Sequence, residues 1–428
     1  MKTVFKNGRI IDPKNNMDKI SDILVENGKI IRIAENIEES DAETIDATNK
    51  IVAPGLIDMH THFREPGQEA KEDFLSGSKA AVAGGFTRIA TMPNTNPAVD
   101  TAALVRSLKE RADEVAKAHI EIIGAVTKGQ KGEELAELLD MTEAGAIAFS
   151  DDGHYIDNAK ILLNALDYLS ITDKIIISHA EITELVEGGA MNEGKVSAKL
   201  GLAGRPSVAE DIAVMRDIML AEYANARIHI AHISSKNAVN IVREAKARGV
   251  KVTAEVTPQH LTMTEDTVDF TDSSTKINPP LRTAEDRDAL LAGLKDGAID
   301  MIVTDHSPHA PEEKDREYIY APSGFPGLET SLGVLLTDLY HTNKMDIKDI
   351  IERMTAAPAK IFNIDAGELS VGSVADITLI DPNFEWVVDE KKFYTRGSHS
   401  PFVGRKLTGK AALTMVEGKV VMKDGKVL

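Results

Sequence analysis

Eight short apolar, β-branched segments recur along the middle of the chain, and they constrain its fold more than any other feature. They read GLIDMHTH, TRIATMPN, HIEIIGAVT, AIAFSDDG, KIIISHAE, RIHIAHIS, KVTAEVTPQHL and DMIVTDHSPH. Helical patterns such as TAALVRSLKERADEVAKA and SVAEDIAVMRDIMLAEYA lie between them. Eight strand–helix units predict an α/β chain folded as a (β/α)8 TIM barrel. A doubly wound open sheet is the alternative, but no Gly-rich phosphate fingerprint follows the first strand.

Both ends of the chain read differently. Residues 1–52 alternate apolar and polar positions, with Asn7-Gly8 and Asn27-Gly28 as expected hairpin turns. The C-terminus repeats this style, with turns expected at Gly418 and Asp424-Gly425. We therefore expect a small β-sandwich domain from residues 1–52 plus 367–428, and a catalytic barrel from 53–366.

Polar residues gather where each barrel strand should end: His60 and His62, Asn94, Asp151 and Asp152, His179, His232, and Asp305. In a barrel those ends converge on the face where catalytic sites are built. The chain has no cysteine, so a transition metal would have to be held by histidines and carboxylates. His60-Thr61-His62 directs two imidazoles to one side of a strand. A lone His-x-His is weak, and a single strand-end histidine is more often a satisfied core residue. Four histidines and Asp305 at coordinated strand ends are harder to explain as separate accidents. They exceed what one tetrahedral ion requires, so two metals are the simplest reading. Two ions ~3.5–4 Å apart need a bridging anion. The fourth strand supplies it, with Asp151 and Asp152 equal candidates by spacing.

With 49 basic and 68 acidic residues, the chain carries a formal net charge of -19. That balance argues against nucleic acid or anionic membranes as partners. No apolar run approaches the ~18 residues of a membrane span, and the N-terminus lacks a signal-peptide pattern. Together with the missing cysteines, this makes the cytoplasm the expected compartment.

The motifs DMHTHFREPG (58–67), TMPNTNP (91–97), AFSDDG (148–153), SHAE (178–181), AHIS (231–234), INPPLR (277–282) and TDHSPH (304–309) carry a resemblance. The chain resembles the class I dihydroorotases, cyclic amidohydrolases of the urease-related superfamily, essentially from end to end. The resemblance implies Zn²⁺, two per subunit, bridged by Asp152 and a hydroxide. His60, His62 and Asp305 would hold one ion, and His179 and His232 the other. Many superfamily members use a carbamylated lysine from the fourth strand instead. AIAFSDDG has none, and the nearest earlier strand-end lysine is Lys128.

The implied reaction is the reversible cyclisation of N-carbamoyl-L-aspartate to L-dihydroorotate and water, in de novo pyrimidine synthesis. Asp305 would be the catalytic residue, moving a proton between the attacking hydroxide and the leaving amide nitrogen. Substrate contacts would come from His62, Arg64, Asn94, Asn278, His309, Ser323 and Gly324. Arg64, Asn94 and His309 would form a clamp for the ring carboxylate. Allantoinase and dihydropyrimidinase are the rivals, but both generally follow the lysine-bridged pattern. A non-catalytic scaffold for aspartate transcarbamoylase should have lost metal ligands, which this chain retains. The expected partners are a small-molecule substrate and a second copy in a homodimer, with docking onto aspartate transcarbamoylase left open. The charged stretch HAPEEKDREYIYAPSGFPG could be a lid over the site or only a surface loop.

Overall fold

A computed structural model describes residues 2–428. The eight barrel strands are Leu56–Thr61, Phe86–Thr91, His119–Gly124, Ala148–Ser150, Ile176–Ser178, Ile228–Ile230, Val252–Val256 and Met301–Ile302. They pair in parallel in that order. The ring closes where Thr61 bridges His306 and the His62 N–H donates to the His306 carbonyl at 2.8 Å. All eight expected segments thus become strands of the expected (β/α)8 barrel.

Strand and helix share burial in the usual barrel manner. Phe86, Ile89, Phe149, Ile176 and Ile228 pack into a large cluster with helix residues such as Val105, Leu166, Ile218 and Val242. A second cluster joins Ile57, Met59, Met92, Ile177 and Met301 to Ile361 and Phe362 near the last helix, Ala356–Ile361.

The termini build one nine-stranded sheet. It runs through Lys426–Val427, Lys419–Lys423, Lys406–Val416, Ile377–Val387, Ile51–Pro54, Lys2–Asp12, Met17–Glu26 and Lys29–Ala34, with Glu43–Asp46 beside Lys2–Asp12. The two ends of the chain meet where Ile51–Pro54 lies antiparallel to Ile377–Val387. Phe5, Ile10, Ile23, Val52, Leu379 and Met415 form its core. Thr378 and Thr414 dock this sheet on the first barrel helix, their hydroxyls donating to the Gly85 and Val82 carbonyls at 2.6 and 2.7 Å.

The turns at Asn27-Gly28, Gly418 and Asp424-Gly425 connect strands as expected. Asn7-Gly8 does not. It lies inside the strand Lys2–Asp12, where Asn7 takes φ 61° and the register shifts between Phe5 and Gly8. The pair forms a bulge, held by the Asn7 N–H donating to the buried Asp22 carboxylate at 2.8 Å. An Asn-Gly pair serves bulge and turn alike because both need a positive φ.

The helix Phe74–Gly84 packs against the residue that follows His62. Asp73 caps it by accepting from the Ser76 N–H, and Gly77 faces the Phe63 ring one residue beyond His62. A Cβ on Gly77 would stand 2.7 Å from three ring carbons. Alanine improves helix propensity by ~1 kcal/mol, but overpacking a rigid aromatic costs ~1–3 kcal/mol. Gly77→Ala should therefore lower the denaturation midpoint despite its better propensity, and a raised midpoint would contradict this packing.

Candidate metal centre and active site

Four imidazoles and two carboxylates converge at the C-terminal mouth of the barrel. His60 and His62 end the first strand, with ring centroids 5.4 Å apart. His179 and His232 follow the fifth and sixth strands, and His179 Nδ1 faces His232 Nε2 at 3.0 Å. Asp152 lies between the two pairs. Its Oδ1 is 3.4 Å from His60 Nε2, 3.4 Å from His179 Nδ1 and 3.7 Å from His232 Nε2. Its Oδ2 is 3.4 Å from His62 Nε2. Asp305 Oδ1 approaches His62 Nε2 at 3.2 Å and His60 Nε2 at 3.6 Å.

These spacings suit metal ligation better than direct hydrogen bonding. Ligands roughly 2.0–2.1 Å from a tetrahedral ion stand roughly 3.3–3.4 Å from one another. Most of the site's separations fall near that edge length. Buried polar atoms support the same fit, since His60 Nε2 and Asp152 Oδ1, which face each other across the site, have no hydrogen-bond partner. Two sets, His60–Asp152–His232 and His60–His62–Asp305, each bring ligand atoms within 4.8 Å of one another.

The second nitrogen of each first-strand imidazole is tied down. His60 Nδ1 is 2.5 Å from Glu255 Oε1, and His62 Nδ1 is 2.9 Å from Asn94 Oδ1. Both partners are acceptors, so each ring carries its proton on Nδ1 and turns the Nε2 lone pair into the site. Glu255 also takes the His229 Nε2–H at 3.0 Å and the His232 backbone N–H at 3.2 Å. His232 sits at φ 26° and Asp305 at φ 50°, conformations the surrounding hydrogen bonds must hold.

Burial alone would raise the Asp152 carboxyl, yet the surrounding imidazoles, His60 foremost, hold it well below the usual carboxylate range. Burial opposes charge on His179, but Asp152 and Glu181 outweigh it and raise that imidazole to about 10. Among the described residues, Asp152, Asp305 and Glu255 form ion pairs only with histidines. Two buried anions and a half-buried third, all without a lysine or arginine partner, are costly. A cation at this position would relieve that cost.

The two aspartates of the fourth strand, equivalent by spacing, point to different tasks. Asp151 accepts from the Val126 and Thr127 N–H groups at 2.8 and 3.0 Å and from the Thr127 hydroxyl, so it fastens the preceding loop. Only Asp152 reaches the histidines. Lys128 pairs with Glu134 at 2.5 Å on the surface, away from them.

Around this centre stand the remaining candidates. Arg64 is buried at φ 57°, donating to Ser307 Oγ at 2.7 Å and Pro308 O at 3.4 Å. The Asn278 amide nitrogen lies 3.1 Å from His179 Nε2 and donates to Glu181 Oε2 at 3.1 Å, and its oxygen accepts from Arg205 at 2.7 Å. His309 donates its Nε2–H to the Ser323 carbonyl at 2.8 Å. Burial, with Arg64 nearby, depresses His309 to about 2, so its ring is neutral at physiological pH.

Glu255, Glu181 and Arg205 are absent from the sequence-derived set. A charge inside the apolar run KVTAEV was the available sign for Glu255, since an unpaired acid there is unaffordable. Glu181 belongs to the SHAE motif. Arg205 had no local sign, because a short parallel pair, Met191–Asn192 with Gly204–Arg205, delivers it from a loop.

Comparison with known proteins follows the same line. A family profile described as dihydro-orotase-like matches residues 49–238. The dihydroorotase of Syntrophus aciditrophicus is 47% identical over 426 residues, covering 99% of this chain and 100% of that protein. The dihydroorotase of Geotalea daltonii is 48% identical over 424 residues, with 99% and 100% coverage. Among solved structures, the L-hydantoinase (dihydropyrimidinase) of Arthrobacter aurescens superposes with a TM-score of 0.90 at 30% identity, covering 100% of this chain and 97% of that one. The dihydropyrimidinase of Brevibacillus agri shares the fold, with a TM-score of 0.87 at 24% identity and coverage of 100% and 96%.

Glu255 provides a test of the ligand geometry. Glu255→Gln keeps size but replaces one acceptor oxygen with a donor that clashes with an imidazole N–H. Loss of such a partner typically costs 10–100-fold in metal affinity, and competition titration with a chelating dye should show a drop of that order. Unchanged affinity would mean that His60 does not rely on Glu255.

Proposed function

Because this chain belongs to the dihydroorotase family of cyclic amide hydrolases, we propose that it interconverts L-dihydroorotate and N-carbamoyl-L-aspartate using two Zn²⁺ ions. The observation that carries the reading is Asp152, whose two oxygens stand between all four histidines. His60, His62 and Asp305 would hold one ion and His179 and His232 the other, with Asp152 shared. Bound zinc supplies Lewis-acid polarisation of a carbonyl and makes water acidic enough to be a nucleophile near neutral pH.

The chain's own residues account for the rest. In hydrolysis the ring amide C–N bond breaks, the carbon gains OH and the nitrogen gains H. Asp305 accepts the proton of the attacking water and returns it to the departing nitrogen. Ring closure uses the same group in reverse. Arg64 is fixed by Ser307 and Pro308, so its guanidinium enters the clamp without losing rotamer freedom on binding. Asn94 spends its carbonyl on His62 and retains an NH2 for the substrate carboxylate. His309 would complete the clamp, and Asn278 with the Ser323-Gly324 backbone would face the ring amide.

We take residues 53–366 as the catalytic unit and 1–52 plus 367–428 as the β unit. No helix of the described residues is long and apolar enough to cross a membrane, and the proposed setting is the cytoplasm. A homodimer is part of the proposal. Val208, Ile212, Met215, Met219 and Tyr223 are exposed on one helix at spacings of four, three, four and four. In the proposed dimer this seam packs against its own copy across a twofold axis.

The substrate carboxylate is the discriminating feature. The protein should hydrolyse dihydroorotate and, at mildly acidic pH, cyclise N-carbamoyl-L-aspartate, because the ring form has one ionised carboxylate fewer. Dihydrouracil, which lacks the carboxylate, should be a very poor substrate. A charged bidentate contact is worth roughly 1.5–3 kcal/mol, so Arg64→Met should cost at least ~10-fold in kcat/KM for dihydroorotate. Comparable rates on both substrates would favour dihydropyrimidinase instead. Separately, metal-replete Asp305→Asn should lose on the order of 10²–10⁴-fold in kcat, and near-normal turnover would remove Asp305 from its proton-transfer role.

A further inference from the structure

The long charged segment after the eighth strand is anchored to the rim of the site by an unusual lysine. Lys314 ends the short helix Pro311–Lys314 and is only 3% exposed. Its ammonium donates to the Pro322 carbonyl at 3.0 Å and the Gly324 carbonyl at 2.9 Å. Neither partner is a carboxylate. Burial, with Lys276 nearby, lowers this amine to about 7, which reflects the cost of keeping it there. A buried cation spent on two carbonyls of one turn needs a reason.

The turn it grips is constrained from every side. His309 occupies the Ser323 carbonyl, so all three carbonyls from Pro322 to Gly324 are engaged. The Gly324 N–H donates to the Lys276 carbonyl at 2.8 Å, and the Lys314 carbonyl accepts from Ser273 Oγ at 2.6 Å. Gly324, at φ 118°, presses on Ser307, where a Cβ would come within 2.6 Å of Oγ. That same hydroxyl accepts from Arg64. The Ser323 N–H has no acceptor among the described residues.

We propose that Lys314 is a positioning residue: its ammonium straps the Pro322–Gly324 turn so that the turn offers the Ser323 N–H, and no carbonyl oxygen, to an anionic cyclic-amide substrate. This rests on the dihydroorotate reading of the site. Without the strap, the Pro322 and Gly324 carbonyls lose their donors and are free to rotate towards the substrate, repelling its carboxylate and ring carbonyls. The strap also ties three rim segments together: the helix at 311–314, the stretch at 273–276 leading to Asn278, and the turn itself.

The test uses zinc-loaded full-length protein and compares Lys314→Met with the parent by two readouts. Hydrogen exchange of a peptide covering 322–328 should become at least about tenfold faster in the variant, while barrel peptides are unchanged. KM for dihydroorotate should rise about tenfold or more with kcat within about threefold and zinc content unaltered. Unchanged exchange overturns the strap whatever the activity. Faster exchange with KM unchanged overturns its role towards substrate. Should the parent fail on dihydroorotate, the functional reading falls, and the exchange arm still decides the strap. If Lys314→Met does not fold, Ser273→Ala loosens the same anchor, and unchanged exchange at 322–328 in that variant overturns the proposal.

Discussion

The position of one carboxylate governs the rest of the structure around the site. Asp152 stands where imidazoles from the first, fifth and sixth strands converge, within 3.4–3.7 Å of each. Bringing those strands to a common point requires a closed barrel, because in an open sheet the first and fifth strands would diverge. Closure in turn depends on the Thr61–His306 bridge, which sets Asp305 opposite His62. Fold and site are thus one constraint seen at two scales.

A shared carboxylate is useful only if the imidazoles present lone pairs to the metal side. Glu255 and Asn94 ensure this by accepting from the Nδ1 atoms of His60 and His62. Glu255 reaches further, since it also fixes the backbone N–H of His232 at its positive φ. One buried anion therefore aims groups in both halves of the centre. Its own cost of burial is offset by three hydrogen bonds, two of them from imidazoles. Desolvation would raise the Glu255 carboxyl, but His60 and His229 together outweigh it and keep the group far below the usual carboxylate range.

The barrel and the principal histidines were legible in the sequence because strand period and strand-end polarity survive without tertiary information. His60, His62, His179, His232 and Asp305 stand out as polar residues ending apolar runs. The choice between Asp151 and Asp152 was not legible from spacing, because it depends on which donors of a neighbouring loop stand within reach of the strand end. The loop amides of Val126 and Thr127 capture Asp151 and leave Asp152 to the site. Asn7-Gly8 misled for a related reason, since the bulge asks of Asn7 the positive φ that a hairpin turn would, while Gly8 is needed for its close approach to Val52. Arg205 and Lys314 were illegible altogether. Each acts through a loop whose path is set by contacts distant in sequence.

The central claim is that these residues hold two divalent ions across Asp152. Crystals of zinc-loaded protein, measured on either side of the zinc absorption edge, test it most directly. The account predicts two anomalous peaks ~3.5–4 Å apart, one among His60, His62 and Asp305 and the other beside His179 and His232, with Asp152 touching both. Zinc density elsewhere in the barrel, or ions coordinated by Asp151 in place of Asp152, would contradict it.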